Sequence, residues 1–151
     1  MEHAINYEQD FYAWLLHNVQ LLKQGRFADA DMDNIVEELE GMSRSEKREL
    51  INRLAVLLAH LLKWQFQPAR RSKSWKYTIE EQRRKVLKLL KESPSFRYGL
   101  DAKSDEAYED ALIKAAKETH LDKSVFPAIC PYTPEQILNE NFYPDSEQMI
   151  V

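Results

Sequence analysis

The chain reads as all-α: a helical bundle around a long central helix, with a short, helical, turn-rich C-terminal tail. Three observations predict this class. Gly and Pro are scarce, three and six in 151 residues, and five of the six prolines follow residue 90, so the first ninety residues carry few breakers. Apolar residues recur at three- and four-residue spacing through long stretches. No stretch alternates apolar and polar residues long enough to read as a half-buried strand. At 44% apolar and 30% charged residues, one domain spanning 1–151 with its own core is expected.

The elements follow in order. Tyr7 to Gln24 reads as the first helix, with Phe11, Trp14, Leu15, Val19 and Leu22 at helical spacing and Gly25 as its stop. Asp31 or Asp33 caps a second helix, with Ile35, Val36, Leu39 and Met42 along one side. Gly41 and Ser43 interrupt that pattern, and Ser43 with Glu46 matches a capping box. Two readings stay open there: a restart at Ser43, or one long helix through to Phe66. From Glu46 to Phe66 a wide apolar face of Leu50, Leu54, Leu57, Leu58, Leu61 and Leu62 suits the centre of a bundle.

Pro68 ends that helix, and Gln67 to Tyr77 reads as a basic connection. Thr78 with Glu81 opens a helix from Ile79 to about Glu92. Ser93-Pro94 closes it and starts the next, which runs from Ser95 to Thr119, broken near Gly99 and Lys103. Thr133-Pro134-Glu135-Gln136 signals a short tail helix.

Function has one strong pointer, a reversal of charge. Lys63 to Lys91 holds ten Lys or Arg and two Glu, a local +8 in a chain of net −4. Met1 to Met42 carries nine acids and two bases, net −7, and Asp101 to Val151 eleven acids and four bases, also −7. A basic window containing Trp64, Trp75 and Tyr77 suggests a surface where something anionic docks. The residues expected to form it are Arg70, Arg71, Lys73, Trp75, Lys76, Arg84, Lys88 and Lys91. The partners it would suit are an acidic protein surface, an acidic end of a second copy in a homodimer, or nucleic acid held by phosphate contacts with Trp75 or Tyr77 stacking on a base. Against this stands the plainer reading of a solvated face, with Glu80 and Glu81 four residues ahead of Arg84 and Lys85. Trp64, at the end of an apolar helix, reads as core. Arg83 falls between Ile79 and Leu87 on the apolar side of its helix. It is expected to point inward and meet a carboxylate, Glu37 or Glu38.

Other chemistry finds little support. Asp33, Glu37 and Glu40 share one flank of the second helix, so a Mg²⁺-dependent nucleotide hydrolase is the alternative reading. The paired-Glu pattern of helical pyrophosphatases needs a third Glu where Gly41 stands. His3, His17, His60 and His120 are isolated, which leaves zinc unsupported; His60 reads as a core or boundary residue. No glycine-rich phosphate loop or nucleophile elbow occurs, and no cofactor is expected. Cys130 is the single cysteine, which fits a reducing cytoplasm and a small buried side chain. The start MEHAINYEQDF does not read as a signal peptide. The longest apolar stretch, Leu54 to Leu62, is too short for a membrane span.

The segment HLLKWQFQPARRSKSWKYTIEEQRRKVLKLLKESPSFR, His60 to Arg97, resembles a bacterial family catalogued as domain of unknown function number twenty-nine. FYAWL at Phe11–Leu15, VEELEGM at Val36–Met42, FPAICPYTPEQIL at Phe126–Leu138 and FYP at Phe142–Pro144 fit the same pattern. The resemblance covers nearly the whole chain and implies an all-helical fold. It brings no established activity, so it assigns no catalytic residue. The most concrete reading is a non-enzymatic binding module.

Overall fold

The structure, a computed structural model, describes residues 5–145. Among these residues there are five α-helices and no strand: α1 (Phe11–Lys23), α2 (Met32–Phe66), α3 (Lys73–Glu92), α4 (Leu100–Thr119) and α5 (Pro134–Leu138). The chain divides into two compact units, Met1–Glu46 and Lys47–Val151.

In the N-terminal unit α1 begins later than its periodicity suggests. Asp10 is the N-cap, its carboxylate accepting from the Ala13 amide at 3.0 Å. Tyr7 stays outside the helix; its ring packs edge-on against Phe11 and Trp14, and its hydroxyl donates to Glu38. Gly25, at φ 72°, takes the left-handed conformation that ends α1. Asp31 then ties the return of the chain. Its carboxylate accepts from Trp14 Nε1 and from Asn34 Nδ2, each at 2.9 Å, and its amide donates to Asn18 Oδ1 at 2.8 Å. The bonds from Asn34 and Trp14 hold the Asp31 carboxyl below the usual carboxylate range. Tyr7 meets Glu38 and Trp14 meets Asp31, so α1 runs antiparallel to the start of α2.

Little of this unit's apolar surface is buried. Within α1 only Trp14, Asn18 and Leu21 are buried. Phe11, Tyr12, Leu15, Leu16 and Val19 are exposed, and so are Met32, Val36, Leu39 and Met42 on α2. The helical spacing of Phe11, Leu15 and Val19 is that of α1, but two helices and a turn offer too few neighbours to cover them.

α2 is one uninterrupted helix of 35 residues, so the long-helix reading holds and Gly41 and Ser43 lie inside it. Every residue from Met42 to Glu49 is exposed. From Leu50 onward the same helix is the centre of the second unit. Leu50, Leu54, Leu57, Leu58, Leu61 and Leu62 are fully buried. Around them gather Ile79, Val86 and Leu90 of α3, Ala107, Tyr108, Ala111 and Ala115 of α4, and Phe126, Tyr132 and Ile137 from the tail.

The basic connection expected over Gln67–Tyr77 is mostly helix. A 3₁₀ turn at Pro68–Arg70 reverses the chain, and α3 starts at Lys73. Ser72 is the reason: it is extended, and its hydroxyl accepts from the Trp75 amide at 3.2 Å. Thr78 therefore sits inside α3 rather than capping it. Gly99, at φ 66°, separates the 3₁₀ turn Pro94–Arg97 from α4, so the chain breaks at Gly99, while α4 passes unbroken through Lys103, a correction to the break expected there. The tail helix α5 has both halves of its capping box, Thr133 with Gln136.

Candidate docking surface

The Lys and Arg side chains of the basic window sort into two sets. Lys63, Arg71 and Arg83 turn inward. Lys63 is 6% exposed, bonds Glu118 at 2.6 Å and covers the Trp75 ring at 4.8 Å from its centroid. Burial raises the Glu118 pKa, but the bond and charge of Lys63 outweigh it and hold the carboxyl below its usual value. Arg71 donates from Nε to the Trp64 carbonyl at 2.7 Å and lies over the Trp64 ring, with Nη2 3.5 Å from the Pro144 carbonyl. Trp64 packs against the core and against Tyr143.

Arg83 is 2% exposed, which agrees with its place on the apolar side of α3. Its expected carboxylate partner, Glu37 or Glu38, is a correction. The guanidinium donates to three main-chain carbonyls, Ile137 at 2.8 Å, Gln136 at 3.3 Å and Phe142 at 2.6 Å, and stands over the Tyr143 ring. Glu37 instead lies 3.8 Å from Arg44, and Glu38 accepts from Tyr7. Two of these carbonyls, Gln136 and Ile137, belong to the end of α5, where carbonyls run out of helical donors, and Phe142 lies just beyond it. A planar, five-donor cation serves several of them at once. Burial lowers the Arg83 pKa.

The second set faces water. Arg70, Lys73, Lys76, Arg84, Lys88 and Lys91 are exposed. At 100° per residue, Lys73, Arg84 and Lys91 fall within about 20° of arc on α3, with Tyr77 and Lys88 no more than about 40° further round. The stripe runs about 27 Å along the helix. Among the described residues Arg70, Lys73, Lys76, Arg84 and Lys91 form no ion pair, and Lys88 is 3.9 Å from Glu92. Lys85 is taken by Glu81 at 2.6 Å. Tyr77, 63% exposed, stands with Glu80, Glu81, Arg84, Lys85 and Lys88 along an open groove of about 600 Å³. Of the eight residues expected to make a surface, Arg71 and Trp75 are therefore largely engaged by the protein itself. Arg70, Lys73, Lys76, Arg84, Lys88 and Lys91 remain outward.

The hydrolase alternative gains no geometry. Asp33, Glu37 and Glu40 lie exposed along one flank, and among the described residues no three His, Cys, Asp or Glu side chains gather as a metal site. Carboxylates spaced along a single helix diverge, and a facing helix must supply the rest of a cage. His60 is half-buried, with Nδ1 2.9 Å from the Val56 carbonyl, and burial lowers its pKa. Cys130 is half-buried, and burial raises its thiol pKa, so it is a poor nucleophile. His3 lies outside the described residues. No helix among them is long and apolar enough to cross a membrane.

Two features escaped the sequence reading. One is the tail clamp of Arg71 and Arg83, whose acceptors are main-chain atoms and leave no mark in side-chain chemistry. The other is the exposed apolar surface of the N-terminal unit, which has the same periodicity as a buried one.

Fold and surface together define an all-α protein that turns one strongly basic helix face to solvent. The chain belongs to the family described as domain of unknown function DUF29, whose model matches residues 6–143. No curated protein and no solved structure matches it.

Proposed function

We propose that the protein is a non-enzymatic interaction module that docks an acidic protein surface along the outer face of α3. The observation that carries this reading is the alignment of Lys73, Arg84, Lys88 and Lys91 in one exposed stripe beside Tyr77. An aromatic ring amid exposed cations, of which only Lys88 has an ion-pair partner among the described residues, Glu92, supplies contact area and electrostatic steering together. Two details favour an acidic protein over nucleic acid. Glu80 and Glu81 interrupt the stripe and would repel a continuous phosphate track. The Trp75 ring, the better stacking platform, already has Lys63 on it.

A pull-down from source cells tests the reading. Wild type and the variant Lys73→Gln/Arg84→Gln/Lys88→Gln/Lys91→Gln are compared, before and after nuclease treatment. A protein retained by wild type after nuclease and lost by the variant is the expected result. Capture abolished by nuclease would make nucleic acid the ligand, and equal capture by both proteins would remove the surface from consideration.

A further inference from the structure

We infer that the N-terminal unit carries a second, separate interaction surface, and that its occupant is the same unit of a second copy of this chain. Nine large apolar side chains of this unit's two helices, five on α1 and four on α2, are between 36% and 71% exposed. On α1 they span about 140° of arc, and on α2 about 120°. In α1 the arc lies about 120° around from the buried line of Trp14, Asn18 and Leu21, and in α2 about 110° around from the half-buried line of Asn34, Ile35, Glu38 and Gly41, turned in the same sense. Because the helices are antiparallel, both arcs open on one side of the pair.

The size of this face matches a dimer interface. A fully exposed large side chain presents roughly 150–200 Å², so nine at half exposure give about 700–900 Å². One partner of a standard stable interface contributes about 800 Å². Lone folded proteins rarely leave contiguous apolar patches of more than a few hundred Å² uncovered.

The form of the face points to a second hairpin. Met32, Val36 and Leu39 follow the four-three spacing of a helix–helix seam. Two antiparallel helices open on one side are half of a four-helix bundle, and a two-fold axis supplies the other half from an identical patch. A unit of about this length usually needs association or a staple to be stable, and this one buries only Trp14 and Leu21 as apolar side chains of α1. The unit's acidity does not oppose the pairing. Two charged residues fall within the arcs, Lys23 at the end of α1 and Glu46 at the end of the unit on α2, and they are of opposite sign; Asp33, Glu37 and Glu40 lie at least about 40° beyond the α2 arc, on its rim.

The experiment is the solution mass of the full chain by sedimentation equilibrium at about 50 µM, a concentration at which micromolar dimers are mostly formed. Wild type is expected at twice the 17.8 kDa chain mass. Leu39→Glu on α2 and, separately, Val19→Glu on α1 are expected at the monomer mass, with helical circular dichroism and the main thermal transition retained. Both positions are exposed, so neither substitution opens the core. The α3 variant lacking four cations is expected to stay dimeric, which keeps this inference distinct from the docking reading. A monomeric wild type, or a dimer that survives both substitutions, overturns it.

Discussion

Arg83 shows how a buried cation can be structural without a carboxylate. Its guanidinium holds Gln136, Ile137 and Phe142 by their carbonyls, so one side chain of α3 fixes both the end of α5 and the segment that follows it. Arg83→Met keeps most of the apolar stem and removes the donors, leaving buried acceptors without partners. A loss of about 3 kcal/mol is expected by urea unfolding, with amide exchange in residues 137–143 accelerating more than in α4. His60 gives a second test at this scale. Its folded pKa lies below the ordinary value because of burial. The folded protein therefore binds fewer protons than the unfolded chain below about pH 6.5. The stability it protects is present above that pH and drains away as pH falls toward the folded pKa. Urea midpoints measured from pH 7.5 to pH 5 should decline in the wild type and decline less in His60→Gln.

At the scale of elements, capping chemistry explains where helices begin and end better than periodicity does. Ser72 starts α3 upstream of Thr78 because an extended serine with a free hydroxyl satisfies the first amides. The sequence points to Thr78 through its capping box with Glu81; the turn at Pro68–Arg70 ends just ahead of Ser72, and the helix starts there instead. The Thr133 box was legible because Pro134 adds a fixed φ to the same signal. Gly41 looked like a break, yet α2 passes through it. A β-carbon at Gly41 would meet only the end of Arg44, at 3.7 Å. Gly41→Ala is therefore expected to stabilise the chain by about 0.5–1 kcal/mol in thermal or urea unfolding. A destabilised variant would mean that the glycine serves a close approach at this site.

For the whole molecule, the class of fold and the leucine-rich centre were legible because helical periodicity and a shortage of breakers point the same way. The basic window was legible as a charge run but not as two populations. Which cations turn inward depends on partners that their own stretch of sequence does not mark: tail carbonyls more than fifty residues away for Arg83, the Glu118 carboxylate for Lys63 and the Trp64 carbonyl for Arg71. Lys63, Arg71 and Arg83 hold the second unit together, while Arg70, Lys73, Lys76, Arg84, Lys88 and Lys91 are left facing water. The docking account rests on that division. It is tested most directly by lysine-reactive footprinting of the full chain in nuclease-treated extract of source cells, against the same chain in buffer. The account predicts that Lys73, Lys88 and Lys91 lose reactivity in the extract while exposed Lys114 and Lys123 keep theirs. Equal reactivity at all five positions in extract and buffer would contradict it.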